Sequence, residues 1–335
     1  MDPDSVDTVD RVPHGGVDDD RLDFSANVNP ETPPGVESVY RDALPPSRRY
    51  PPEPPEAFRR AAADYVDVDP ETVVPTPGGL AAIRLALATH LDPDDRVLVP
   101  APGFGEYARE VRLQGATPVR VPADEVLAGE PTAYDVAVVC NPNNPTGTVY
   151  DRERLVGFVR EARRAGTPVL IDEAFLGFTD RETVAGTPGA IVARSLTKLF
   201  GLPGLRAGFA VARDESLSRL EAARRPWNLG APALAVGAHV VGQTAFVRET
   251  RERVATERER MRETLAERFR VSPSAAPFLL LEVVDEPVAA VIDRADDAGI
   301  AIRDARSFVG LDAHVRVAVR LPAENRRLEA VLLDD

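Results

Sequence analysis

Apolar positions along the chain fall into short continuous runs alternating with longer stretches that repeat every three to four residues. The runs Arg96–Pro100, Thr117–Val121, Ala133–Cys140, Thr167–Asp172, Ala190–Ser195 and Ala207–Ala212 read as strands, the clearest being Val136-Ala137-Val138-Val139. Between them Leu80–His90, Gly105–Leu113 and Asp151–Ala165 follow helical spacing, and Glu215–Arg225 follows the last strand. Near-continuous apolar strands separated by helices predict a parallel-dominated sheet covered on both faces, an α/β class. Pro226-Trp227-Asn228 then breaks the pattern. One long helix is expected over Pro232–Arg270, charged from Arg248 onward. Strands at Phe278–Val284, Gly299–Arg303 and Val315–Arg320, with helices at Val288–Ala298 and Ala323–Leu333, predict a small α+β domain.

The amino-terminal part reads differently. Residues 1–20 are polar and Asp-rich, and are expected to be extended or partly disordered. Asp23–Pro30 is a short extended run, and Pro55–Tyr65 is helical. Arg48-Arg49-Tyr50-Pro51 lies in a proline-rich arm expected at the surface or against a partner subunit. The division expected is an arm at 1–49, a large domain at 50–240, and a connecting helix with a small domain at 241–335.

Composition narrows the classes. The 335 residues are 44% hydrophobic, yet no apolar run reaches membrane-spanning length and no basic-then-apolar leader is present. A single cysteine, Cys140, excludes an internal disulfide framework. A cytoplasmic protein without membrane attachment is expected. The net charge of −14, carried by clusters such as Asp18-Asp19-Asp20 and Asp92-Pro93-Asp94-Asp95, disfavours nucleic acid. Acidity with Arg in place of Lys resembles proteins adapted to high salt.

That preference for arginine has one exception. Lys198 is the only lysine among the 40 basic residues. A guanidinium stays protonated, whereas an amine can lose its proton and form a Schiff base, so a position that uses the amine chemically is where Arg cannot substitute. Ser195, Thr197 and Arg206 stand beside it as an anion site suited to phosphate. A Schiff-base lysine with a phosphate cradle is what pyridoxal phosphate requires. Three further motifs agree. Thr76-Pro77-Gly78-Gly79 opens a helix, where free N–H groups and the helix dipole favour an anion. Asn141-Pro142-Asn143-Asn144-Pro145-Thr146-Gly147 follows a buried strand, at the edge where α/β ligands bind. Asp172 closes the next strand, where a carboxylate can hold a pyridinium N–H⁺. No metal is required by this set.

These residues identify the chain, along nearly its whole length, as similar to the fold-type I pyridoxal-phosphate enzymes of the class I/II aminotransferase superfamily. The resemblance implies a large domain with a mostly parallel seven-stranded sheet, helices on both faces, and a small α+β carboxyl-terminal domain. It also implies roles. Lys198 matches the Schiff-base lysine, Asp172 the pyridine-nitrogen partner, Asn144 the asparagine bonded to the ring O3′, and Tyr107 the aromatic stacked on the ring. Ser195, Thr197, Arg206 and the Gly78-Gly79 amides match the phosphate cradle. Tyr50 resembles the tyrosine that reaches the phosphate from a neighbouring subunit, implying a homodimer. Arg316 resembles the receiver of the substrate carboxylate, with Arg303 in the same pocket.

Two subfamilies share this pattern, the histidinol-phosphate aminotransferases and the L-threonine-O-3-phosphate decarboxylases of cobalamin synthesis. The chain resembles the second more. The shared segments are His14-Gly15-Gly16, Asp23-Phe24-Ser25-Ala26-Asn27-Val28-Asn29-Pro30, Asp172-Glu173-Ala174-Phe175, Phe278-Leu279-Leu280-Leu281, Gly299-Ile300-Ala301-Ile302-Arg303-Asp304 and Val315-Arg316-Val317-Ala318-Val319-Arg320. Phe175 also counts, because the aminotransferases usually carry Tyr there. Leu80 departs from relatives that place a small polar residue at the cofactor phosphate. A small phosphorylated amino acid is the implied substrate. The bond at its Cα held perpendicular to the ring plane is the one that breaks. Decarboxylation or transamination therefore rests on anion placement by His14, Asn27, Arg303 and Arg316.

Overall fold

The structure, a computed structural model, describes residues 1–17 and 19–334; Asp18 of the acidic run and Asp335 lie outside the described residues. Seven strands form the large sheet: β2 (Val73–Thr76), β3 (Arg96–Ala101), β4 (Thr117–Pro122), β5 (Val136–Cys140), β6 (Val169–Asp172), β7 (Ala190–Ser195) and β8 (Gly208–Val211). Their order is β2-β8-β7-β6-β5-β3-β4, and β8 alone runs against the other six. The parallel-dominated sheet expected from the apolar runs is present. Side chains alternate across it as the pleat requires. Val136, Val138 and Cys140 join the core on one face, while Ala137 and Val139 join the core on the other.

Both faces are covered. On one lie α3 (Glu56–Val66), α6 (Arg152–Ala165) and α8 (Ala231–Val241), through side chains such as Phe58, Phe158 and Val236. On the other lie α4 (Gly79–His90), α5 (Glu106–Leu113) and α7 (Asp214–Ala223), through Ile83, Leu87, Val111 and Leu220. Helix α6 shows why the pattern was readable. The Asp151 side chain accepts from Arg154 N, which caps the first turn, and Leu155, Phe158, Val159 and Ala162 then recur on one buried stripe. Each large apolar side chain so buried contributes roughly 1.5–3 kcal/mol.

The expected single helix over 232–270 is corrected. It breaks at Gly242-Gln243 into α8 and α9 (Thr244–Leu265), and Phe269–Val271 forms strand β9 instead. Glycine at 242 weakens helix continuation by about 1 kcal/mol relative to Ala, and Phe269-Arg270-Val271 alternates and pairs antiparallel with β10 (Phe278–Val283). The strand expected at 299–303 also divides. Ile300–Ala301 (β11) pairs in parallel with Leu22–Asp23 (β1), and Arg303–Asp304 (β12) pairs with β13 (His314–Ala318). The small sheet has the order β12-β13-β10-β9 and is backed by α9, α10 (Val288–Asp297) and α11 (Pro322–Leu333).

Residues 1–17 are extended apart from one short helix, in line with the first of the two expectations for this segment. After the short helix α1 (Pro3–Val6) they form a strap over the sheet edge; α2 (Val36–Asp42) follows later in the amino-terminal segment. Asp2 N donates to Leu113 O at 2.8 Å, Arg109 Nε to Asp10 O at 3.1 Å, and Arg303 Nη2 to Pro13 O at 2.7 Å. Polar composition hides this arrangement because its partners, Arg109, Leu113 and Arg303, are distant in the chain. Among the described residues, no helix is long and apolar enough to cross a membrane.

Candidate active site

The carboxyl ends of β2, β3, β5, β6 and β7 meet at one edge of the large sheet, and a cavity of about 280 Å³ lies there. At its floor, β7 ends at Ser195 and turns through Thr197 to Lys198. The Ser195 and Thr197 hydroxyls are 2.7 Å apart. Across from them β2 ends at Thr76, and α4 begins at Gly79 with its first N–H groups facing the same space. Gly78 has φ +91°, and a Cβ there would stand 2.7 Å from Arg206 Nη2, so the close approach requires glycine. Arg206, itself at φ +55°, is held by Pro203 O and Pro77 O at 3.1 and 3.4 Å. Hydroxyls, a guanidinium and helix-terminal amides thus converge on one spot, the donor set of a phosphate.

Asp172 closes β6 and is 5% exposed. Its Oδ1 accepts from Ala174 N at 2.9 Å and its Oδ2 from the Tyr107 hydroxyl at 2.6 Å. Burial pushes its acidity toward the neutral form, while Tyr107 and the Ala174 amide pull the other way without cancelling it. Lys198 is shifted oppositely. Burial, then the charges of Arg316 and Arg206, bring its amine down from 10.5 to about 8. The neutral amine is accessible near neutral pH.

Tyr107 is corrected from its expected role. Its ring is 1% exposed, packed under the sheet edge and edge-on to Phe104 at 5.5 Å, so it cannot stack on a group in the cavity. Phe104 faces the cavity in its place. The segment Phe104-Gly105-Glu106-Tyr107 follows β3, so residue 104 precedes the helix at the edge, whereas 107 and 111 share the α5 face packed on the sheet. That helical offset was the available signal.

The outer wall comes from other elements. Arg316 of β13 is buried, donating to Asn144 Oδ1 at 2.6 Å and to Ser25 O at 2.9 Å, between the rings of Phe278 and Phe308. Burial and the neighbouring Arg303 bring it down to about 9. Its Nε, and Asn27 Oδ1 nearby, are buried without a hydrogen-bond partner. Arg303 reaches Ser307 Oγ at 2.9 Å as well as Pro13 O, while Asp304 pairs with Arg306 instead. Phe175 lies in the wall, edge-on to Phe278 at 5.2 Å.

His14 reaches the cavity. A Cβ on Gly15 would stand 2.2 Å from Ser25 O, and Gly16 N donates to Ser25 Oγ at 2.8 Å, so the two glycines dock the strap onto the Ser25–Asn27 segment. His14 Nε2 then donates to Glu106 Oε1 at 2.9 Å, with its ring 5.7 Å from Phe104. Burial would raise the Glu106 carboxyl, but the bonds from His14 and Arg109 hold it below the usual range. Glu106, Ser307 and Phe308 carried no motif of their own. Tyr50 is 79% exposed, stacks on Trp227 at 4.6 Å, and stands away from this cavity.

The residues fit pyridoxal phosphate. Gly78 leaves the space that a side chain would fill, the hydroxyl, guanidinium and amide donors suit its phosphate, and Asp172 stands ready for its ring nitrogen. The orphaned Asn27 Oδ1 and Arg316 Nε remain for a further polar ligand.

Comparison with known proteins agrees with this geometry. The profile of the aminotransferase class I and II family matches residues 20–331. The threonine-phosphate decarboxylase of Salmonella typhimurium is 30% identical over 333 residues, covering 94% of this chain and 91% of that protein. Histidinol-phosphate aminotransferase 2 of Archaeoglobus fulgidus is 30% identical over 325 residues, covering 93% and 92%. Among solved structures, the histidinol-phosphate aminotransferase from Sinorhizobium meliloti in complex with pyridoxal-5′-phosphate superimposes with a TM-score of 0.82 at 22% identity, covering 92% of this chain and 88% of that one.

Proposed function

The chain belongs to the aminotransferase class I and II family and is a pyridoxal-phosphate enzyme; from that premise we propose that it decarboxylates L-threonine O-3-phosphate to (R)-1-amino-2-propanol phosphate and carbon dioxide. The observation that carries this reading is the docked strap. It sets His14 at the cavity beside Asn27 and Arg303, so cationic and amide groups line the outer wall as well as the phosphate cradle at the floor. A substrate with a carboxylate and a phosphomonoester carries about three negative charges near pH 7. In a chain of net charge −14 it needs such local donors.

Pyridoxal phosphate, when bound, supplies an electron sink for the pair released at the substrate's Cα. Ser195, Thr197, Arg206 and the amides opening α4 would hold its phosphate, Asp172 its ring nitrogen, and Asn144 its O3′. Lys198, with its amine near pKa 8, would deliver to Cα the one proton that replaces the departing carbon dioxide. Arg316 binds the substrate carboxylate by a guanidinium fork already aligned on Asn144 and Ser25. His14, Asn27 and Arg303 grip the phosphomonoester and exclude water from the mouth. We further propose a homodimer in which the exposed Tyr50 crosses to the partner's phosphate cradle, because Tyr50, Trp227 and Leu44 leave large apolar side chains uncovered.

A second reading has support of its own. Histidinol-phosphate aminotransferases match the chain as well as the decarboxylases do. A paired assay separates the two. Release of carbon dioxide from L-threonine O-3-phosphate is expected. Its absence, together with transamination of histidinol phosphate against 2-oxoglutarate, would replace the first reading by the second.

A further inference from the structure

We propose that Tyr107 is a positioning residue for Asp172, its hydroxyl holding the buried carboxylate in the orientation and ionic form that the ring nitrogen of pyridoxal phosphate requires. This rests on the reading of the site as a pyridoxal-phosphate site. The geometry is closed on two sides. Asp172 Oδ2 accepts from the Tyr107 hydroxyl at 2.6 Å and Oδ1 from Ala174 N at 2.9 Å, so the carboxylate cannot rotate without losing both bonds. An ionised carboxylate has about four acceptor sites, and two remain free toward the cavity that it lines.

The direction of the bond is set by the phenol. Burial and the Asp172 charge push the Tyr107 hydroxyl well above its ordinary range, so it stays an O–H donor at every working pH. A permanent donor at one oxygen stabilises the anion over the acid. That matters because burial alone favours a neutral Asp172. The other charges facing the carboxylate do not supply the same help. Glu173 and Arg194 pair with each other at 2.9 Å, the buried Cys140 thiol is pushed up and stays neutral, and the Lys198 ammonium, dominant below about 8, acts on the carboxylate through charge and not through a hydrogen bond. Without Tyr107, the proton shared between ring nitrogen and Asp172 would move toward the carboxyl, and the ring would lose the positive charge that makes it an electron sink. Packing alone does not require this hydroxyl, because phenylalanine would keep the ring contacts, including the edge-on contact with Phe104.

The test is Tyr107→Phe, read on cofactor binding. Holoenzyme is stripped and reloaded with pyridoxal phosphate or with its 1-deaza analogue, in which C–H replaces the ring nitrogen. The variant is expected to bind pyridoxal phosphate about tenfold more weakly than the parent, and the analogue within twofold of the parent. In an Asp172→Asn background the same substitution should change pyridoxal phosphate binding by less than twofold. Equal weakening toward both ligands would make Tyr107 a packing residue only, and unchanged binding of pyridoxal phosphate would also overturn the proposal. If the parent itself binds no pyridoxal phosphate, it is the reading of the site that fails. Should Tyr107→Phe not fold, 3-fluorotyrosine at 107, a stronger donor of nearly the same shape, must tighten pyridoxal phosphate and leave the analogue unchanged; no tightening would overturn the proposal.

Discussion

The two ends of the cavity are built in different ways. At the floor, Asp172, Ser195 and Lys198 end or follow neighbouring central strands, and the backbone ladder that fixes those strands fixes them too. At the outer wall, His14, Asn27, Arg303 and Arg316 come from a strap, a loop and two strands of the small sheet, joined by a handful of hydrogen bonds. In the proposed reading the floor holds the cofactor and the wall selects the substrate. A rigid floor keeps the reacting groups within bonding distance, while a wall of separate segments can change partners without disturbing them.

Substitutions at the two ends should therefore fail differently. Lys198→Ala is expected to have the largest effect, removing the covalent cofactor band and lowering turnover by on the order of 10²–10⁴ or more. Borohydride reduction that still fixed cofactor to this variant would show that the floor does not depend on its lysine. Arg316→Ala comes next. Loss of a buried charged hydrogen bond of roughly 1.5–3 kcal/mol should lower kcat/KM by about 10- to 150-fold while the cofactor spectrum stays intact. Cofactor loss in this variant would break the division between floor and wall.

Arg303→Ala should cost less, about tenfold in kcat/KM or 1.4 kcal/mol, since this guanidinium is more exposed and partly engaged with Pro13 and Ser307. Parental turnover of threonine phosphate by both arginine variants would place the substrate elsewhere. Glu106→Gln should be milder still, raising KM a few-fold with kcat nearly unchanged, because Gln keeps an acceptor for His14 but loses the charge. A fall in kcat alone would tie Glu106 to the floor instead. The smallest effect is one of pH. The lowered affinity of Lys198 for its proton means the cation dominates below about 8 and the free amine above it. Cofactor capture by stripped protein should rise up to the region of pH 8 and then level, instead of climbing on toward 10.5.

The same division separates what could be read from the chain alone. Lys198 stood out as the single amine among 40 basic residues, and Asp172 and the Asn141–Asn144 run stood out because each follows a buried apolar run whose end is visible in the pattern. Strand ends are local facts, and in a parallel sheet they determine which side chains share an edge. The places where pattern reading went astray are those decided over distance. Phe104 faces the cavity and Tyr107 does not, because helix α5 turns the second under the sheet. Val73–Thr76 becomes a strand only by pairing with Gly208–Val211, and the helix expected to 270 stops because Phe269–Val271 finds β10. The docking of the strap hangs on Arg303 reaching Pro13 across 290 residues, on His14 reaching Glu106 across 92, and on a glycine fitted against Ser25. Local periodicity encodes which residues end strands, because the pleat and the helix repeat within a few positions. It carries no record of which distant segments meet, and that is settled only when the folded core sets the arginine donors of one domain against the carbonyls of another.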